Sequence, residues 1–138
     1  MNKYGNRKIK TARGTYDSEM EVARELFLRN RQNAGEITNL RRQVEYLLIP
    51  KQVGKRIVQL KTKTKEVEYL IERPCAYVAD FVYERNGETI VEDCKGQGVK
   101  RKGKRTFSTQ TEAFKIKKKL MLYVHNIQIH IVSHPTEW

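Results

Sequence analysis

Two β-rich runs flank Asn86-Gly87 in the stretch from Tyr77 to Gly96. Asn-Gly between such runs predicts a two-residue hairpin, because a type I′ turn needs φ > 0 at both central residues. Arg85 then faces Glu88, and the same register sets Asp80 directly opposite Asp93. Period-2 alternation puts Lys95 on the face of Asp93 and sends Phe81, Tyr83, Ile90, Glu92 and Cys94 to the other.

The rest of the pattern is less regular. Residues 1–16 read as a basic, irregular N-terminal arm, and 17–138 as one domain. Asp17-Ser18 opens a helix running to about Ala34, stopped by Gly35 as its C′ residue. Met20, Ala23, Leu26 and Phe27 form its expected apolar stripe. Leu40 to Ile49 reads as a strand, stopped by Pro50. Residues 51–65 are rich in Lys and Thr and poorly periodic, while Val67, Tyr69 and Ile71 suggest a second strand or a long hairpin extension. Thr109-Gln110-Thr111-Glu112 is a capping box. It predicts a helix through about Val124, with Ala113, Ile116, Leu120 and Tyr123 or Val124 on its apolar side. Ile127, Ile129 and Ile131 alternate in a final strand. Strand–helix–strand at the end requires a crossover, so part of the sheet is expected to be parallel. The expected class is a small mixed α/β domain.

Composition narrows the partners. The chain has 138 residues and a formal net charge of +12, with 28 Lys+Arg against 16 Asp+Glu. One domain with a proper core is the natural size class. The basic excess points to a polyanion, most simply nucleic acid. An anionic membrane surface is the competitor, but no apolar run is long enough for a transmembrane helix and no signal-peptide core follows the start, so no membrane partner is expected. On the hairpin register Cys75 and Cys94 lie roughly 13 Å apart, too far for a disulfide, so reduced thiols in a cytosolic setting are expected. His125, His130 and His134 do not have metal-site spacing.

Opposed carboxylates sit ~5 Å apart in a sheet and destabilise it. At an effective dielectric of ~20 their repulsion is roughly 3 kcal/mol. Lys95 offsets part of that cost, and a divalent cation held by both would offset more. The alternative is that both aspartates sit at strand ends in water, where repulsion is weak. Two carboxylates that hold a metal, with a lysine two residues beyond the second, are the parts a metal-dependent phosphodiesterase needs.

In these residues the chain resembles the PD-(D/E)XK nuclease superfamily, and within it a small phage-encoded family of unassigned function. The matching pieces are Tyr16 to Glu21, Arg42-Gln43-Val44, Tyr77 to Tyr83, Val91 to Gly96 and the lysine-rich helix around Lys117-Lys118-Lys119-Leu120. Ser18-x-x-Glu21 is similar to the first-helix motif of phage endonuclease-I-type Holliday junction resolvases. The pattern departs in two places: Ala79 stands for the proline that names the superfamily, and Asp93 for the commoner glutamate. The resemblance implies a restriction-endonuclease-like αβββαβ core, with Asp80, Asp93 and the first-helix Glu21 as metal ligands and Lys95 as the catalytic lysine. It implies Mg²⁺, with Mn²⁺ able to substitute, and no small-molecule cofactor. It also implies a DNA substrate inside a phage-infected or lysogenic bacterial host.

Several residues carry a second reading. Glu21 is also the N3 residue of a capping box with Ser18, although the resemblance favours an active-site role over Glu19 or Glu25. Gln43 could orient water or phosphate, or be an ordinary exposed strand residue. The loop residues Lys100, Arg101, Lys102, Lys104 and Arg105, and Lys115, Lys117, Lys118 and Lys119 on the helix, follow Lys95 closely; they are expected to contact phosphate rather than only solvent. Arg7, Lys8, Lys10 and Arg13 form a possible second strip. The expected function is a Mg²⁺-dependent DNA endonuclease acting on a Holliday junction or other branched intermediate, since a small domain has little surface for reading a long sequence. Paired cuts would call for a homodimer. The alternative is a non-catalytic nucleic-acid-binding accessory protein of phage replication or packaging.

Overall fold

The computed structural model describes residues 8–16, 18–95 and 110–138. The lead-in is not irregular where it is described: β1 (Ile9–Thr11) and β2 (Gly14–Tyr16) pair antiparallel. Tyr16 anchors this hairpin. Its side chain is buried, its hydroxyl donates to Glu25, and the Arg42 guanidinium lies 3.9 Å from its ring centre.

Helix α1 (Glu19–Asn33) starts where the sequence places it, with Ser18 Oγ accepting from the Glu21 N–H. Gly35 follows at φ +78°, a left-handed position that glycine adopts without steric cost. The buried face is not the expected stripe: Glu21, Arg24, Glu25 and Leu28 are buried, while Leu26 is exposed. Polar residues can face the interior here because they are paired. Arg24 bonds to Glu92, and Glu25 to Tyr16 and Arg29.

The central sheet contains β3 (Thr38–Ile49), β6 (Cys75–Arg85), β7 (Glu88–Cys94) and β8 (His130–Val132), in the order β3-β6-β7-β8. The first three run antiparallel, and β8 joins β7 in parallel after helix α2 (Glu112–His125). This is the predicted mixed α/β class. The final strand is shorter than its alternation suggests, since residues 127–129 lie outside the ladder. Val67, Tyr69 and Ile71 do lie in a strand, β5 (Thr64–Glu72), and the poorly periodic stretch before it supplies its partner β4 (Gln52–Gln59), so that the two form a separate two-stranded ribbon inserted between β3 and β6. Among the described residues, no helix is long and apolar enough to cross a membrane.

The helices cover opposite faces of the sheet. Phe114 and Met121 of α2 pack with Leu48, Tyr77, Ala79, Val82 and Val91, and Leu28 of α1 packs with Ile37, Phe81 and Tyr83. The α2 cap is Thr111, whose side chain accepts from the Phe114 N–H, so the helix begins two residues later than a box opened by Thr109 would put it. Its expected stripe is only partly kept. Leu120 packs against the core, but Ile116, Tyr123 and Val124 are exposed, and Phe114 and Met121 are the buried residues.

Candidate active site

The β6–β7 hairpin has the predicted register. Asn86 and Gly87 sit at φ +51° and +77°, and Arg85 pairs with Glu88 through to Phe81 with Glu92. Asp80 and Asp93 are the next opposed positions, and there the ladder stops. The Asp80 side chain takes over, its Oδ2 accepting from the Cys94 N–H at 2.7 Å. Cys94 and Cys75 are both free thiols, and burial pushes the Cys94 thiol up, with Asp80 adding to it.

Alternation fails at the same point. Phe81 and Tyr83 face α1, whereas Tyr77 and Ala79, of the same parity, face α2. On the neighbouring strand Leu40 faces the α1 cluster while Val44, Tyr46 and Leu48 face the α2 cluster. Between them lies Gln43 at φ +53°, opposite Asp80 because Arg42 pairs with Phe81 and Val44 with Ala79. A left-handed residue other than glycine costs roughly 1–2 kcal/mol. Here it accompanies a change of face in the two strands that flank the site. Gln43 itself is exposed.

This face change brings Tyr77 to Asp93. The Tyr77 hydroxyl donates to Asp93 Oδ2 at 2.8 Å, and burial first, then the Asp93 charge, holds the phenol far above its ordinary range. Sequence alternation would set Tyr77 on the other side, so it carried no signal as a site residue. Asp93 is only 5 % exposed. Its Oδ1 lies 2.9 Å from Lys95 Nζ, an ion pair whose alignment does not make a hydrogen bond, leaving that buried oxygen without a hydrogen-bond partner. Lys95 is steadied from below, its ammonium 4.3 Å from the centre of the Phe114 ring. Its backbone N–H bonds to Val132 O of β8 at 2.9 Å.

Asp80 registers the crowding. Its carboxyl is pushed up to about 7, by burial first and then by the charges of Asp93 and Glu21. The Cys94 N–H and Lys95 oppose the shift without cancelling it. Glu21, buried in the first turn of α1, is therefore within electrostatic reach of Asp80. Glu25 is engaged with Tyr16 and Arg29 instead. Asp80, Asp93 and Lys95 thus lie together at the end of the β6–β7 ladder, with the Glu21 charge felt at Asp80. Among the described residues, no three His, Cys, Asp or Glu side chains are gathered as a metal-holding group.

On α2, Lys115 pairs with Glu112 at 3.1 Å. Lys117 and Lys118 are half-buried one turn beyond Phe114, and Lys119 is exposed. Lys100, Arg101, Lys102, Lys104 and Arg105 lie outside the described residues, as does Arg7.

The arrangement defines a single mixed α/β domain with two acidic residues and a lysine at the point where the ladder between β6 and β7 ends. Over residues 1–134 the chain matches the family described as "Protein of unknown function (DUF1064)", and it belongs to that family. No curated protein and no solved structure matches it.

Proposed function

We propose that the protein is a Mg²⁺-dependent DNA endonuclease of the PD-(D/E)XK type, acting on a Holliday junction or another branched intermediate. The observation that carries this reading is the convergence of Asp80, Asp93 and Lys95, with the Glu21 charge close enough to raise the Asp80 carboxyl. The order α1, β3, β6, β7, α2, β8 supports a restriction-endonuclease-like core.

The donor set fits a hard divalent cation. Asp93 keeps a buried oxygen with no hydrogen-bond partner, and Asp80 holds a carboxyl whose charge is disfavoured by burial and then by its acidic neighbours. Asp80 and Asp93 would hold the cation, with Glu21 as the third carboxylate. When bound, it supplies Lewis acidity and a more acidic water.

The chain's own residues do the rest. Tyr77 fixes one oxygen of Asp93 and so orients the other. Phe114 and Asp93 hold the Lys95 ammonium at the carboxylates, where it can neutralise charge developing on a phosphate oxygen or assist deprotonation of the attacking water. Lys117, Lys118 and Lys119 extend positive charge along α2 from this point, suited to backbone contact rather than base reading. Cutting two strands symmetrically would use a twofold dimer.

The test is cleavage of a labelled four-way junction and a matched linear duplex, in Mg²⁺ or EDTA, by wild type and Asp93→Asn. Junction cleavage that requires both Mg²⁺ and Asp93 supports the proposal in full. Equal cleavage of both DNAs keeps the nuclease and removes the branch preference. Binding without cleavage of either DNA, in Mn²⁺ as well, points to a nucleic-acid-binding module.

A further inference from the structure

The β4–β5 ribbon stands apart from the rest of the molecule. It pairs only with itself, from Gln52 opposite Glu72 to Gln59 opposite Thr64, and neither strand contributes a buried residue. A two-stranded ribbon alone is marginal in water, so its length calls for a purpose. At strand rise its 8-residue arm reaches about 26 Å.

Its charge is uneven along its length, with the acidic residues Glu66, Glu68 and Glu72 all on β5 beyond the tip. From Lys51 to Lys65 there are six basic residues and no acidic one. Nearer the root, the basic groups are occupied: Lys51 and Lys55 face Glu68 and Glu66 at 4.0 and 3.4 Å, and Arg56 lies over the Tyr69 ring. At the tip they are not. Lys61, Lys63 and Lys65 are exposed and, among the described residues, form no ion pair. They crowd a tight connection closed by Leu60 N–H to Lys63 O at 2.8 Å. Like charges gathered there repel one another unless a polyanion neutralises them.

Placement supplies the second argument. The ribbon leads directly into Cys75, the first residue of β6, and Tyr77 and Asp80 follow within the same strand. Because β7 runs antiparallel to β6, Asp93-Cys94-Lys95 lies toward that same end of the sheet. A strand of DNA held at the carboxylates would therefore lie at the ribbon's root.

We infer that the β4–β5 ribbon is a second nucleic-acid-binding element, its tip lysines gripping phosphates away from the cleavage point. The inference rests on the nucleic-acid reading of the site and deepens it. A two-stranded ribbon fits a duplex major groove, ~12 Å wide. Ile57, 76 % exposed, and, nearer the root, Leu70 opposite Val53 give it apolar surface for the groove.

The test is anisotropy of a labelled four-way junction and a linear duplex in EDTA across a salt series. Lys61→Ala/Lys63→Ala/Lys65→Ala should weaken binding at least tenfold and flatten the log–log salt slope by about 2 to 3. Lys61→Arg/Lys63→Arg/Lys65→Arg should restore both. Thermal melting of each variant should match wild type, since the tip buries nothing. Unchanged affinity and slope in the alanine variant, while wild type still cuts DNA, would overturn the ribbon's role alone. Unchanged affinity together with loss of a dimer in Ile57→Ser would assign the ribbon to a second copy of the chain instead. Failure of wild type to bind any nucleic acid would remove both this inference and the proposed function.

Discussion

Glu92 and Asp93 are neighbours on β7, both almost fully buried, and they face opposite sides of the sheet into very different company. Glu92 meets Arg24 and the Tyr83 hydroxyl, and each of its oxygens has a donor. The same Arg24 reaches on to the carbonyls of Pro135 and Glu137, tying α1, the sheet and the C-terminal segment together. Asp93 meets another carboxylate, one phenol and one lysine, and retains an oxygen with no hydrogen bond. One carboxylate is neutralised as a structural joint. The other shares its one lysine with a second carboxylate, Asp80, as a group that binds a cation would. Burial alone does not separate the two roles; the completeness of the partners does.

Substitutions can break this contrast. Asp93→Asn removes charge without volume, and is expected to abolish cleavage of the labelled junction while leaving binding intact. Glu92→Ala should do the reverse. It strands a buried Arg24, at a cost of about 3–5 kcal/mol in denaturant unfolding, yet cleavage per folded molecule should persist. A dead but stable Glu92→Ala, with an active Asp93→Asn, would exchange the two assignments.

Asp80 offers a sharper probe through pH. The metal-free folded protein keeps the Asp80 proton up to about pH 7, whereas the unfolded chain releases it near ~3.9. Between those values the native state binds more protons, so stability falls as pH rises and the full penalty is present above pH 7. Asp80→Asn should therefore raise the Tm at pH 8, by on the order of 2–4 kcal/mol of stability, have little effect at pH 4, and eliminate cleavage. Tyr77→Phe leaves Asp93 Oδ2 without its donor and should cost about 1–3 kcal/mol. It should also lower the cleavage rate of the folded variant, since the phenol fixes the orientation of the Asp93 carboxylate. The smallest effect is expected on α2, where each phosphate-contacting lysine among Lys117, Lys118 and Lys119 changed to Ala should flatten the salt slope by about 1.

The hairpin bearing Asp80 and Asp93 was legible because one dipeptide set its turn and period 2 set its faces. The start of α1 was legible from Ser18 for the same local reason. The faces of both helices were not. On α1, Arg24 and Glu25 are buried through partners far away in the sequence, which hydrophobic periodicity cannot register. On α2, Phe114 and Met121 won the core over a stripe of equal apolar character. In the ribbon, Val67, Tyr69 and Ile71 hinted at β5, but β4 was obscure because a strand with both faces wet has no reason to alternate. Tyr77 escaped because alternation stops at Gln43 and Asp80, a backbone event that no residue type announces.

The bond from the Cys94 N–H to Asp80 makes one carboxylate oxygen serve both the site and the seam between β6 and β7. Whatever draws on that oxygen must also tug at the seam. The Cys94 amide is thus a built-in reporter: its rate of exchange with deuterated solvent should follow the state of the carboxylate, so that site occupancy can be read from a single backbone proton with no substrate turned over.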